Sequence, residues 1–164
     1  MFSKLQELFN SGLMGSAEFE SRLADAQLLL EYGFARLRFQ ADHGLQGGHE
    51  HPACARSWDN TTAIALQHDH RFFLSKFDMC LLGLVDPMGL PTRKRTAVLN
   101  SSSRLHQRLH RRFCNKRTCN HDPCDHVELW GSVNGTKRSE FAQAYTDQFC
   151  DVVLHAVACD LFSD

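Results

Sequence analysis

Thirteen consecutive residues, Cys114-Asn-Lys-Arg-Thr-Cys119-Asn-His121-Asp-Pro-Cys124-Asp-His126, hold three thiols and two imidazoles, and they constrain the fold more than any other stretch. Zinc takes four sulfur or nitrogen donors in a tetrahedron, and spacings such as C-x4-C and C-x-H let one knuckle supply several of them. Cys114, Cys119, Cys124 and His126 fill that sphere; His121 is a spare, and Cys80, far upstream, can replace a local thiol. The competing interpretation is a polar loop rich in Cys and His, because the spacing is not that of a standard finger and the distal H-x3-H is missing.

The chain has 164 residues and seven cysteines, an odd number that suits a disulfide framework poorly. Met1 to Phe9 form a short amphipathic start rather than a charged head with a long apolar core. These features predict an intracellular protein, nuclear or cytoplasmic, with thiols reduced or metal-bound. Asn60-Thr-Thr, Asn100-Ser-Ser and Asn134-Gly-Thr then match the glycosylation pattern by chance. No apolar run approaches membrane-spanning length, and the length suits one domain with a modest core.

A formal net charge of -1 conceals an asymmetry. Between Pro87 and His121 there are nine basic residues, Arg93, Lys94, Arg95, Arg104, Arg108, Arg111, Arg112, Lys116 and Arg117, and no Asp or Glu. The remaining chain holds nine basic against nineteen acidic residues. A patch of this kind binds phosphate backbones by counterion release, so DNA or RNA is the expected partner. Arg104, Arg108 and Arg111 recur at helical spacing after Ser101-Ser-Ser, a run able to cap a short helix. A solvated basic face without any nucleic acid is the alternative.

Apolar residues at Phe19, Leu23, Ala26, Leu30, Phe34 and Leu37 predict a long amphipathic helix ending before His43-Gly44. Gly44 to Pro52 reads as a loop, Ser57-Trp58-Asp59-Asn60 leads into a short helix through Leu66, Arg71 to Phe77 and Thr96 to Leu99 read as strands, and about Ser139 to Leu161 as a final helix. The pattern predicts a single α/β domain over residues 1–164, with an α/β part in 1–100, a basic segment and knuckle in 101–131, and a C-terminal helix in 132–164.

The order of several motifs resembles the C-terminal half of cytosine-5 DNA methyltransferase-like proteins, especially phage-type members and segments of retrotransposon-like polyproteins as in dinoflagellates. The motifs are Cys80-Leu-Leu-Gly83, Arg93-Lys-Arg-Thr96-Ala-Val-Leu-Asn100, the Cys/His cluster closing in His126-Val and Gly131, Ala144-Tyr145 and Phe149-Cys150. Upstream, Met1 to Gln6 resembles the residues that follow the family's catalytic Pro-Pro-Cys, and His49-Glu50-His51-Pro52 its Glu-Asn-Pro segment. The resemblance implies an incomplete Rossmann-like methyltransferase half, with few strands and long flanking helices, carrying a small zinc knuckle. It also implies that Glu50 holds the Watson–Crick edge of a flipped cytosine. An acidic residue in an exposed Gly/His loop is the plainer alternative.

These residues depart from the family where the chemistry is done. Methyl transfer needs a thiolate nucleophile, a bound methyl donor and a carboxyl group at the base. Neither a Pro-Pro-Cys nor a Gly-rich cradle for S-adenosylmethionine occurs in the 164 residues. Arg95 replaces the proline of the family's Lys-Pro-Thr turn, and Cys124 replaces the knuckle's first histidine. The expectation is a degenerate or partial methyltransferase-like protein, non-catalytic alone, that binds zinc and nucleic acid. S-adenosylmethionine enters only if a complementing polypeptide supplies the missing half. A small metal-dependent nuclease is the alternative of a different class.

Overall fold

The computed structural model describes residues 9–115, 126, 127, 129 and 131–162. Its first element is α1 (Ser16–Asp42), whose buried residues Ala26, Leu30, Phe34 and Leu37 fall on one stripe, as the periodicity predicts. The helix closes at His43 and Gly44, where a φ of +69° turns the chain and the Leu45 amide donates to the Gln40 carbonyl at 2.8 Å. A 3-10 turn (Arg56–Asp59) leads into α2 (Thr61–His68), capped by the Asn60 side chain, which accepts from the Thr62 and Ala63 amides. Glu31 of α1 accepts from Asn60 Nδ2 at 2.8 Å and Thr62 Oγ1 at 2.7 Å, which locks the two helices together.

Three strands, β1 (Gly48–Pro52), β2 (Phe73–Asp78) and β3 (Arg95–Asn100), form one sheet in the order β1-β3-β2. Both pairings are antiparallel: Glu50 opposes Val98, and Asp78 opposes Arg95. The fold is therefore mixed α/β. Among the described residues no parallel strand pair of the doubly wound kind occurs, only an isolated parallel bridge between Thr92 and Val127. The expected loop at 44–52 is in part the edge strand β1. Its residues His49-Glu50-His51 lack the apolar alternation that marks strands, and it is held by pairing with the apolar β3.

Strand alternation splits the interior into two cores, one on each sheet face. Ala97 and Leu99 pack with Phe34, Leu37, Trp58, Leu66 and Phe72 under α1 and α2. On the other face Val98 and Phe77 pack with Leu105 and Leu109 of α3 (Ser103–Leu109) and with Phe149 and Ala156 of α5 (Asp147–Leu161). Ser102 caps α3 at the Leu105 amide and also bonds Asp160, so one hydroxyl joins α3 to α5.

The expected helix from Ser139 to Leu161 is two helices. A small hairpin, β4 (Ser132–Val133) and β5 (Thr136–Lys137), precedes the single turn α4 (Arg138–Phe141); the chain then breaks before α5. Thr146 causes the break: its hydroxyl caps the Phe149 amide and donates to the Leu82 carbonyl, which fixes an extended residue where a helix would need a helical one.

Candidate metal centre and basic surface

Cys80, Cys114 and His126 come from three separate segments and place one ligand atom each within 4.8 Å of the others. Cys80 lies in a 3-10 turn (Met79–Leu82) directly after β2, closed by Gly83 at φ +82°. Cys114 follows a stretch that runs beside β2, where the Arg111 amide donates to the Lys76 carbonyl at 3.0 Å and the Asp78 amide to the Arg112 carbonyl at 2.9 Å. His126 is held through Val127, whose amide donates to the Pro91 carbonyl at 2.9 Å. Cys114 Sγ and His126 Nε2 are 3.1 Å apart. Two thiols and an imidazole are a zinc-type donor set, and ligand atoms around tetrahedral zinc stand about 3.3–3.8 Å apart, given its bond lengths.

Of the sequence-predicted ligands, Cys114 and His126 meet, joined by Cys80 from its place as an alternate. Cys119, His121 and Cys124 lie outside the described residues. Cys114 is disulfide-bonded in this structure, whereas Cys80 is free. A disulfide and a metal thiolate are alternative states of one sulfur, so metal binding at Cys114 requires its reduced form.

Asp78 supports this corner from below. Its buried carboxylate accepts Arg95 Nε at 2.9 Å and Nη2 at 3.1 Å, and its Oδ2 also accepts the Cys114 amide at 2.9 Å. Arg93 Nε stands 3.8 Å away. Burial alone would push the Asp78 carboxyl up; the hydrogen bonds from Arg95 and the Cys114 amide, with the Arg95 and Arg93 charges, hold it below the usual carboxylate range. Burial and the Asp78 charge push the Cys80 thiol up.

The basic segment divides into two groups. Arg93 and Arg95 face Asp78, Lys94 Nζ stands 3.6 Å from Glu50 Oε1 and donates to the Ala142 carbonyl, and Arg104 pairs with Asp160 while donating to the Cys159 carbonyl at 2.7 Å. These four cations spend their charge inside the molecule. Arg108, Arg111 and Arg112 are exposed, as is Lys76 of β2, and among the described residues no carboxylate pairs with any of them. Lys116 and Arg117 lie outside the described residues. Lys76, which the sequence did not single out, joins this surface because its own carbonyl binds the Arg111 amide.

Glu50 lies not in a loop but on β1, with its side chain 20 % exposed. Tyr145 donates to Oε2 at 3.2 Å, and burial together with the Glu50 charge pushes the Tyr145 phenol up to about 12. Oε1 is buried with no hydrogen-bond partner. On the opposite face of β1, His49 and His51 stack at 4.7 Å against each other and meet the Trp58 ring edge-on. The ring of His49 fits because Gly33 of α1 has no side chain; a Cβ there would come within 3.2 Å of it. Sequence reasoning missed Asp78, Lys94 and Tyr145 as partners. An Asp two residues before a candidate ligand, facing an Arg-rich strand, was the one available signal, but only the register makes it a pair.

Comparison of the chain with protein-family models, with curated proteins and with solved structures gave no match.

Proposed function

We propose that this chain is a zinc-stabilised module that binds nucleic acid, and that these residues by themselves are not catalytic. The convergence of Cys80, Cys114 and His126 carries the proposal. Three chain segments, a single 3-10 turn at Cys80 and irregular backbone at Cys114 and His126, gain a common anchor if the reduced site takes zinc, with a fourth donor from Cys119, His121 or Cys124. The stretch 108–112 presents three exposed arginines that no carboxylate among the described residues pairs with, and it leads to Cys114. Metal at that corner would hold those arginines against β2 in a fixed array, which lowers the entropy lost on binding a phosphate backbone.

The methyltransferase-like assignment adds a role for Glu50. In its favour, one oxygen of the Glu50 carboxylate makes no hydrogen bond; Lys94 Nζ stands 3.6 Å from that oxygen, so a base edge would have to displace this ammonium. The antiparallel sheet and the lack of a nucleophile and of a Gly-rich cradle limit that role to recognition. Elemental mass spectrometry of the reduced chain should find about one zinc per chain, with circular dichroism lost in part on chelation. Fluorescence anisotropy with a labelled duplex and a labelled single strand should show binding that weakens steeply with salt. No bound metal would refute the zinc assignment; salt-independent binding, or none, would refute the nucleic-acid assignment.

A further inference from the structure

Helix α1 is apolar on both sides. Opposite the stripe that enters the core, Leu28, Leu29, Tyr32 and Phe39 are 70 %, 63 %, 66 % and 46 % exposed. At 100° per residue, these four and the exposed Asp25 and Arg36 lie within one arc of roughly 100°. Three large side chains in one turn and a half make a patch that soluble surfaces seldom leave uncovered. The helix also carries charge on either side of the patch. Glu18, Glu20 and Asp25 lie in its first half with Arg22; Glu31, Arg36, Arg38 and Asp42 lie in its second, where Glu31 already accepts from Asn60 and Thr62 and Asp42 pairs with Arg71. Arg22 is already paired with Glu18 at 2.8 Å, and Arg36 lies over the Phe39 ring at 5.2 Å.

We propose that α1 pairs antiparallel with α1 of a second copy of this chain, about a twofold axis beside Leu30 and Glu31. A twofold contact joins a patch to itself, so the patch must be self-complementary under reversal. This one is. With the axis there, Leu28 and Leu29 pack on Tyr32 of the partner subunit, and Asp25 stands opposite Arg36 of the partner subunit, twice by symmetry. The apolar contact and its two flanking ion pairs then occupy the middle of a helix about 40 Å long, at 1.5 Å per residue. A parallel arrangement would set Glu18 and Asp25 against their own copies. A single helix pair falls at the low end of stable interface sizes, so the dimer forms and dissociates with concentration. This proposal is independent of the zinc and nucleic-acid assignments.

Sedimentation velocity of the full chain, from low micromolar to several hundred micromolar, tests it. The expected result is a rise from the monomer mass of 18.7 kDa toward twice that value. Leu28→Glu with Tyr32→Glu should keep the protein monomeric while circular dichroism is unchanged, since neither side chain enters the core. Asp25→Arg and Arg36→Asp should each weaken association about tenfold, by turning two ion pairs into two repulsions. The double exchange should restore it. A monomer at every concentration would overturn the proposal, whether the patch is left bare or covered by residues 1–8 or another polypeptide. So would a dimer indifferent to the Asp25 and Arg36 exchanges.

Discussion

Asp78 and Cys114, 36 residues apart, are joined by a 2.9 Å hydrogen bond from the Cys114 amide to a carboxylate that Arg95 grips with two nitrogens. The candidate metal corner is thus tied to the sheet through a buried charge. Asp78→Asn should destabilise the fold by about 2–4 kcal/mol, because it strands the Arg95 guanidinium and weakens a charge-assisted bond to the backbone. Urea titration measures the loss. Zinc affinity should fall as well, since the Cys114 backbone loses its anchor.

Removing a single ligand separates the metal from the fold. Cys80→Ser should lower zinc affinity by tenfold or more and loosen residues 110–115 in hydrogen exchange, while the α1 and α2 amides keep their protection. Cys150→Ser is the control: Cys150 is an exposed free thiol on α5 and should leave the metal content unchanged. Equal zinc in wild type and the Cys80 variant would remove Cys80 from the ligand set.

Salt dependence distinguishes the two groups of arginines. Arg108→Gln and Arg111→Gln should each reduce the slope of log affinity against log salt by about one, without altering stability. Arg104→Gln should act the other way: it breaks the Asp160 contact that joins α3 to α5 and should leave the slope nearly unchanged. If Arg104 moves the slope as much as Arg108 does, its pairing with Asp160 gives way to phosphate.

Acid should destabilise the protein through His49. Burial, with the neighbouring His51, holds its imidazole down to about 4, against an ordinary value of 6.5. Between those values the unfolded chain binds the proton and the folded one does not. Stability is therefore complete above about pH 6.5, falls as the pH drops toward 4, and then levels for this group. The ring is only partly buried, so the loss is discounted to roughly 2 kcal/mol. His49→Gln should flatten thermal denaturation midpoints across this window; an unchanged profile would assign the acid sensitivity elsewhere.

The core under α1 rests on Phe34, fully buried and 4.7 Å from the His49 ring. Phe34→Ala should cost about 3–5 kcal/mol by lost transfer energy and a cavity that the sheet cannot fill. A loss below about 1 kcal/mol would mean that α1 is not docked on the sheet.

Local information in the sequence determined whatever depends on neighbours in the chain. The 3.6-residue spacing of Ala26, Leu30, Phe34 and Leu37 places α1, β-branched and apolar runs place β2 and β3, and Ser102 marks the start of α3. It also carries the Cys/His cluster as ligand-type chemistry and the basic run as charge. What the sequence could not supply was pairing across space. The strand at Gly48–Pro52 exists because β3 offers it an edge; its own residues show no strand pattern. Four of the seven described cations in the basic segment are neutralised by Asp78, Glu50 and Asp160, carboxylates 15 to 56 residues away that only register and helix docking bring near. Cys80 joins Cys114 and His126 for the same reason. Ligand type is a property of a residue, but a ligand set is a property of distances, and those are decided by which segments the sheet holds side by side.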